Sequence, residues 1–128
     1  MKKFISLVVA TTLTISSMLC AFAADEGINV YLEEFKINFD VQPQIINGRT
    51  MVPIRAIFEA MGANVVWDDT TKTAISTKDG TTVKMTLNST TEYINDDTYE
   101  MDVTPVIING RTLAPARYVA EAFGYDVK

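Results

Sequence analysis

Carboxylates, guanidinium groups and one indole are the side chains in this sequence that could do chemistry. Two adjacent acid pairs, Asp68-Asp69 and Asp96-Asp97, are the evident candidates for acid–base work. The sequence contains no His, and its single Cys, Cys20, lies in an N-terminal apolar segment. That composition excludes Ser-His-Asp triads, Cys-His pairs and the usual zinc sites. The six glycines stand singly, so no phosphate-cradling loop is present. Hydrolysis of a glycosidic bond needs two carboxyl groups facing one another across a cleft, roughly 5 to 9 Å apart. Neighbouring residues on a turn point apart instead, and the expected role of both Asp pairs is to form turns. A calcium site at Asn95, Asp96 and Asp97 with Glu100 or Asp102 is a second reading of the later pair, in a loop too short for an EF-hand. No cofactor and no metal is expected.

Four arginines recur at matched places, Arg49 and Arg111, Arg55 and Arg117. Read functionally, they are anion- or glycan-binding points. Read structurally, each ties loop carbonyls or a carboxylate to a helix, with Glu59 and Glu121, one helical turn beyond Arg55 and Arg117, as the candidate acids. Their duplication favours the structural role. Trp67 and the five Tyr residues could stack on sugar rings. At a strand end between Val66 and Asp68, Trp67 is expected to pack half-buried.

The four arginines lie in a stretch that occurs twice. Pro43-Gln44-Ile45-Ile46-Asn47-Gly48-Arg49-Thr50-Met51-Val52-Pro53-Ile54-Arg55 returns as the stretch from Pro105 to Arg117, at a constant offset of 62. Of the 23 positions from 43 to 65, 13 are identical in the second copy. Asn47-Gly48 and Asn109-Gly110 between apolar arms predict hairpins, because a type I′ turn needs two residues tolerant of positive φ. Pro53 and Pro115 suit the first turn of a short helix, and Gly62 and Gly124 suit its left-handed cap. Ile54, Ile57, Phe58 and Met61 follow at helical spacing. Alternation predicts a hairpin from Ile28 to Phe39 around Glu33-Glu34, then strands at 64–67, 72–77, 81–87, 92–94 and 98–101. The reading is one α+β domain over 24–128, an antiparallel sheet of hairpins packed on two short helices. It has an internal two-fold repeat, and the second unit is truncated after Val127-Lys128.

The segment from Met1 to Ala23 reads as a secretory signal peptide. Lys2 and Lys3 precede an apolar run to Leu19, and Ala21-Phe22-Ala23 offers the small-x-small cleavage pattern. An uncleaved anchor and lipidation at Cys20 are the alternatives. The small residues at the exit argue against the first, and Met18-Leu19 before the Cys argues against the second. Cleavage leaves nine basic residues against 16 acidic ones, a net charge of −7, and no Cys for a disulfide. An acidic surface without basic clusters excludes nucleic acid and anionic membranes as expected partners.

The doubled P-x-I-x-N-G-R-T-x-x-P-x-R pattern, followed by E-A-x-G and Val65-Val66-Trp67-Asp68, resembles the copper amine oxidase-like N-terminal domain. This family, also called the stalk domain, belongs to secreted and surface proteins of Gram-positive bacteria. The resemblance covers about residues 28 to 128. It implies a small antiparallel sheet around short helices, carried as a non-catalytic accessory domain at the cell surface. Copper amine oxidase activity itself is excluded, since that copper is held by imidazoles and this chain has none. The quinone cofactor of those enzymes forms from a Tyr in an Asn-Tyr-Asp/Glu setting, whereas the five Tyr here follow Val30, Glu92, Thr98, Arg117 and Gly124. The second copy lacks the closing V-x-W-D strand, so an open sheet edge could pair with another protein chain. The expected function is a structural or binding module. The rivals are a wall-polysaccharide or peptidoglycan binder and, less favoured, a carboxylate-based glycan hydrolase.

Overall fold

Period-two alternation and Asn-Gly turns build most of the chain, and the computed structural model describes residues 3–9 and 27–127. In order, the elements are β1 (Lys3–Val9), β2 (Ile28–Leu32), β3 (Phe35–Ile37), β4 (Gln44–Ile46), β5 (Arg49–Pro53), α1 (Ile54–Ala60) and β6 (Asn64–Asp68). There follow β7 (Thr73–Lys78), β8 (Thr81–Thr86), β9 (Thr91–Ile94), β10 (Asp97–Glu100), β11 (Val106–Ile108), β12 (Arg111–Pro115), α2 (Ala116–Ala122) and β13 (Tyr125–Val127).

Three sheets form instead of the single sheet expected. The central one has the order β11-β12-β5-β4, a second runs β10-β9-β8-β7-β6, and the third runs β13-β1-β2-β3. The strands from β2 onward run three to six residues and divide into separate ladders rather than one continuous one. The helices instead lie between sheets: α1 touches β5 and β12 on one side and β6 and β3 on the other, while α2 touches β5, β12 and β13. In the central sheet β5 and β12 are antiparallel, with Val52 opposite Ala114.

Each helix has only seven residues and could not persist alone in water. Docking holds it. Ile54, Ile57 and Phe58 of α1 and Val119 and Ala120 of α2 are all almost fully buried. Phe58 meets Phe123 edge-to-face, with ring centroids 5.0 Å apart and planes at 80°. A Schellman cap ends α1: Ala63 N–H reaches Phe58 O at 2.9 Å and Gly62 N–H reaches Glu59 O at 3.0 Å. Gly62 takes φ +94° for this, and Gly124 takes +86° after α2. The hairpin tips are as the dipeptides require, with φ of +51° and +77° at Asn47 and Gly48 and +49° and +80° at Asn109 and Gly110.

The prolines sit one step earlier than expected. Pro53 closes β5 as the residue before α1, extended at ψ 121°, and Pro115 does the same before α2 at ψ 128°. Each is held there by the central ladder, Pro53 opposite Leu113 and Pro115 opposite Met51. Strand therefore passes into helix without a loop. Phe35 also departs from the alternation, being 77% exposed on the edge strand β3.

The largest departure concerns the N-terminus. Lys3–Val9, expected to stand outside the fold, forms β1 between β13 and β2. Its alternation is the reason: Ile5 is buried and Leu7 packs on the core, while Phe4 faces outward. The expected cleavage point after Ala23 and the lipidation candidate Cys20 lie outside the described residues. No helix among the described residues is long and apolar enough to cross a membrane.

Candidate binding groove

Arg55 projects from the first turn of α1, opposite the helix's buried face. Its Nη1 donates to Glu59 Oε2 at 3.2 Å and to the Val65 carbonyl at 3.1 Å, joining helix to β6. Two residues along β6, on the same face as Val65, Trp67 lies half-buried against the core and donates from Nε1 to Asp69 Oδ1 at 3.4 Å. Lys72 Nζ donates to that same oxygen at 2.8 Å. These two hydrogen bonds, Lys72 first, hold the Asp69 carboxyl below the usual range.

Arg111 comes from the other side, at the start of β12. Its Nε and Nη2 both donate to Asp40 Oδ2, at 3.1 and 2.5 Å. The hydrogen bond from Arg111 lowers the Asp40 carboxyl likewise. Between these groups lies an open-sided groove of about 1030 Å³, lined among others by Trp67, Arg55, Arg111, Lys72, Asn88 and Ile107. Its walls carry Arg55, Lys72 and Arg111 against Glu59, Asp69 and Asp40, so charge is balanced pair by pair. An indole beside ordered guanidinium, ammonium and carboxylate groups can stack on an apolar ring face and hydrogen-bond hydroxyls around it. It offers no unpaired acid to protonate a leaving group.

The groove gathers Arg55, Trp67, Arg111, Gly110 and Pro53 from the residues singled out in the sequence. Others lie elsewhere. Arg49 donates from Nε to Asp102 Oδ2 at 2.6 Å, and the Arg117 side chain makes no hydrogen bond or ion pair among the described residues. Asn47, Gly48 and Asn109 form exposed hairpin tips, Pro115 is buried, and Gly62 and Gly124 end the helices. The acids expected beside the arginines are found only in part. Glu59 holds Arg55, but Arg49 and Arg111 take Asp102 and Asp40, 53 and 71 positions away. A shared offset was the available signal, since Asp40 and Asp102 are separated by the same interval as Arg49 and Arg111.

Asp68 acts as a turn residue, its Oδ1 accepting the Thr70 N–H at 2.9 Å. Of the calcium ligands considered at 95–102, Asn95 Oδ1 accepts from Thr82 N–H, Glu100 accepts from Thr90 and Thr91, and Asp102 accepts from Arg49. No three acidic, His or Cys side chains converge to hold a metal among the described residues.

Glu92 is the functional-looking group that the sequence reading passed over. On β9 it is 2% exposed, and its Oε2 is buried without a hydrogen-bond partner. Burial, with a smaller contribution from Glu121, pushes its carboxyl up to about 7. Val30, which precedes it by the offset of the two copies, is a fully buried aliphatic residue. Comparing those two positions would have marked Glu92 as an acid in a core place.

Residues 31–128 match the family described as the copper amine oxidase N-terminal domain. No curated protein matches the chain.

Proposed function

Because the chain belongs to the copper amine oxidase N-terminal domain family, a non-catalytic accessory domain of those oxidases, we propose that it is a binding module secreted to a Gram-positive cell surface. Its ligand on this reading is a wall polysaccharide or peptidoglycan strand, held in the groove beside Trp67. The observation that carries this is the indole of Trp67 set among three ion pairs in one groove. Fixed polar groups around an aromatic face suit a ligand that is neutral overall, rich in hydroxyls and flat on one side. The hydrolase reading loses ground because each groove carboxylate is already paired with a cation.

We also read the correspondence between the two copies as a structural repeat. The hairpin β2–β3 then answers β9–β10, β4–β5 answers β11–β12, and α1 and β6 answer α2 and β13. Arg49–Asp102 and Arg111–Asp40 favour a structural role for these two arginines, because each ion pair joins one copy to the other. Arg111 thus serves both as a clasp between copies and as a groove wall.

Co-sedimentation of the full chain with purified wall sacculi tests the binding role. Saturable pelleting is expected, with affinity reduced at least about fivefold by Trp67→Ala, in keeping with about 1 kcal/mol for an aromatic contact. A folded protein that stays in the supernatant would remove the glycan reading and leave a spacer.

A further inference from the structure

Glu92 and part of the groove wall are carried on one short run of chain. β8 ends at Thr86, Leu87 and Asn88 line the groove, and β9 begins at Thr91 with Glu92 as its second residue. Leu87 N–H donates to the Lys72 carbonyl at 3.0 Å and Asn88 N–H to the Pro105 carbonyl at 3.4 Å, so backbone bonds fix both wall residues just before β9. Glu92 stands opposite Met85 of β8 and Tyr99 of β10, and cross-strand partners share a face. Met85 is almost fully buried, but β10 is an edge strand and all four of its residues are exposed. On that side the edge strand separates a buried, unpartnered carboxyl oxygen from water. No positive charge faces it. β10 contributes Tyr99 and, at the next pair, Asp97, while β8 contributes Met85 and Val83. Lys84 and Tyr93 alternate to the opposite face of the sheet. α2 contributes Glu121, which repels a charge on Glu92, and the Arg117 side chain makes no ion pair with either acid.

We propose that Glu92 is a proton-operated latch on the groove: uncharged, it lets the β9–β10 hairpin close and hold Leu87 and Asn88 in place, and ionised, it opens that hairpin and slackens the wall. Its object is the groove proposed above as the glycan site, and the latch rests on that reading. A charged carboxylate with a buried, unpaired oxygen carries a large desolvation cost where Glu92 lies. Displacing β10 hydrates it with the loss of a single ladder, since β10 pairs with β9 alone. The hydrated carboxyl titrates as an ordinary one near 4.5, whereas the closed form keeps its proton up to about 7. The open form therefore gains about tenfold per pH unit across that window and levels off above it. Movement passes to the groove along the backbone, because Met101 N–H donates to the Thr90 carbonyl at 2.7 Å and so ties the end of β10 to the segment that follows Asn88. By reciprocity, a ligand that needs the ordered wall favours the protonated acid.

Native-state hydrogen exchange on the full chain, corrected for the intrinsic pH dependence of exchange, reads the opening without a ligand. In the wild type, protection of the Asn95 and Met101 amides in the hairpin and of the Leu87 and Asn88 amides in the wall should fall about tenfold per pH unit between about pH 5 and 7. In Glu92→Gln it should stay level. The Ala63 amide, bonded to the Phe58 carbonyl in the α1 cap, should hold its protection in both proteins. Equal losses at Ala63 and in the hairpin would mean global unfolding and overturn the latch. Level protection at Leu87 and Asn88 would overturn it too, whether or not the hairpin loosens. Should the Gln variant fail to fold, Glu92→Leu puts an apolar side chain in the same place and is expected to behave alike. The second arm is co-sedimentation with wall sacculi at about pH 5.5 and about pH 8, where wild-type affinity relative to Glu92→Gln should drop at least about fivefold, the low end of coupling between sites. An unchanged ratio would overturn the link to the groove. If neither protein pellets at either pH, the glycan reading falls, and the exchange arm alone upholds or overturns the latch.

Discussion

Glu92 holds an acid where its environment favours a neutral side chain. The folded chain keeps the proton up to about pH 7, whereas the unfolded carboxyl gives it up near 4.5. The folded state therefore binds more protons across that window, and stability falls as pH rises through it, levelling off above about 7. At roughly 1.4 kcal/mol per pKa unit the full loss is about 3 kcal/mol. Urea titrations of Glu92→Gln should show this slope removed and the variant more stable than wild type at about pH 8. Equal slopes in both proteins would mean that Glu92 finds a partner in solution. Among the arginines, Arg55→Ala should cost about 1 kcal/mol, because the Val65 carbonyl loses its side-chain donor, while Arg117→Ala should fall within about 0.5 kcal/mol. Thermal melts of the two variants make that comparison. Residues acting within one turn were legible in the sequence: Arg55 and Glu59 lie one helical turn apart. Arg49 and Arg111 were not, because their acids are brought near only by the tertiary fold.

Among the elements, the hairpins at Asn47-Gly48 and Asn109-Gly110 and the helix ends at Gly62 and Gly124 were the most legible, because each depends on backbone sterics at a residue or two. A Cβ at Gly62 would meet nothing closer than Lys78 Cε at 4.0 Å, so a substitution there is opposed by its φ of +94° and not by crowding. Gly62→Ala should accordingly cost about 1 kcal/mol, and Gly62→Asn less, since Asn tolerates left-handed backbone. Chemical denaturation of both variants would check the order. A larger loss in the Ala variant would point to disruption of the Schellman bonds to Phe58 and Glu59. The number of sheets was not legible. Period-two alternation marks which face of a strand is buried but leaves open which strand pairs with which, and α1 and α2 divide pairs that a local pattern would join. The same ambiguity surrounds β1, since an apolar run with alternating burial serves equally as a leader and as an inner strand.

For the whole molecule, family membership was legible because thirteen identical positions recur at one spacing. The groove was not, since it exists only where α1, β6 and the β11–β12 hairpin meet. The two ion pairs that link the halves are exposed, so their contribution should weaken with salt. Asp40→Asn combined with Asp102→Asn should lower the melting midpoint at low ionic strength, and the difference should vanish near about 1 M salt, where the screening length is ~3 Å. A difference independent of salt would assign the loss to packing. The β5–β12 seam has a further property. Val52 faces Ala114, its own counterpart in the second copy, while Met51 faces Pro115 and Pro53 faces Leu113, so each pairing is mirrored by the next. That is the contact rule of an isologous dimer, obeyed within one polypeptide. A gene encoding a single unit would yield a chain competent to associate with itself through this strand, and duplication with fusion would convert that association into the present fold.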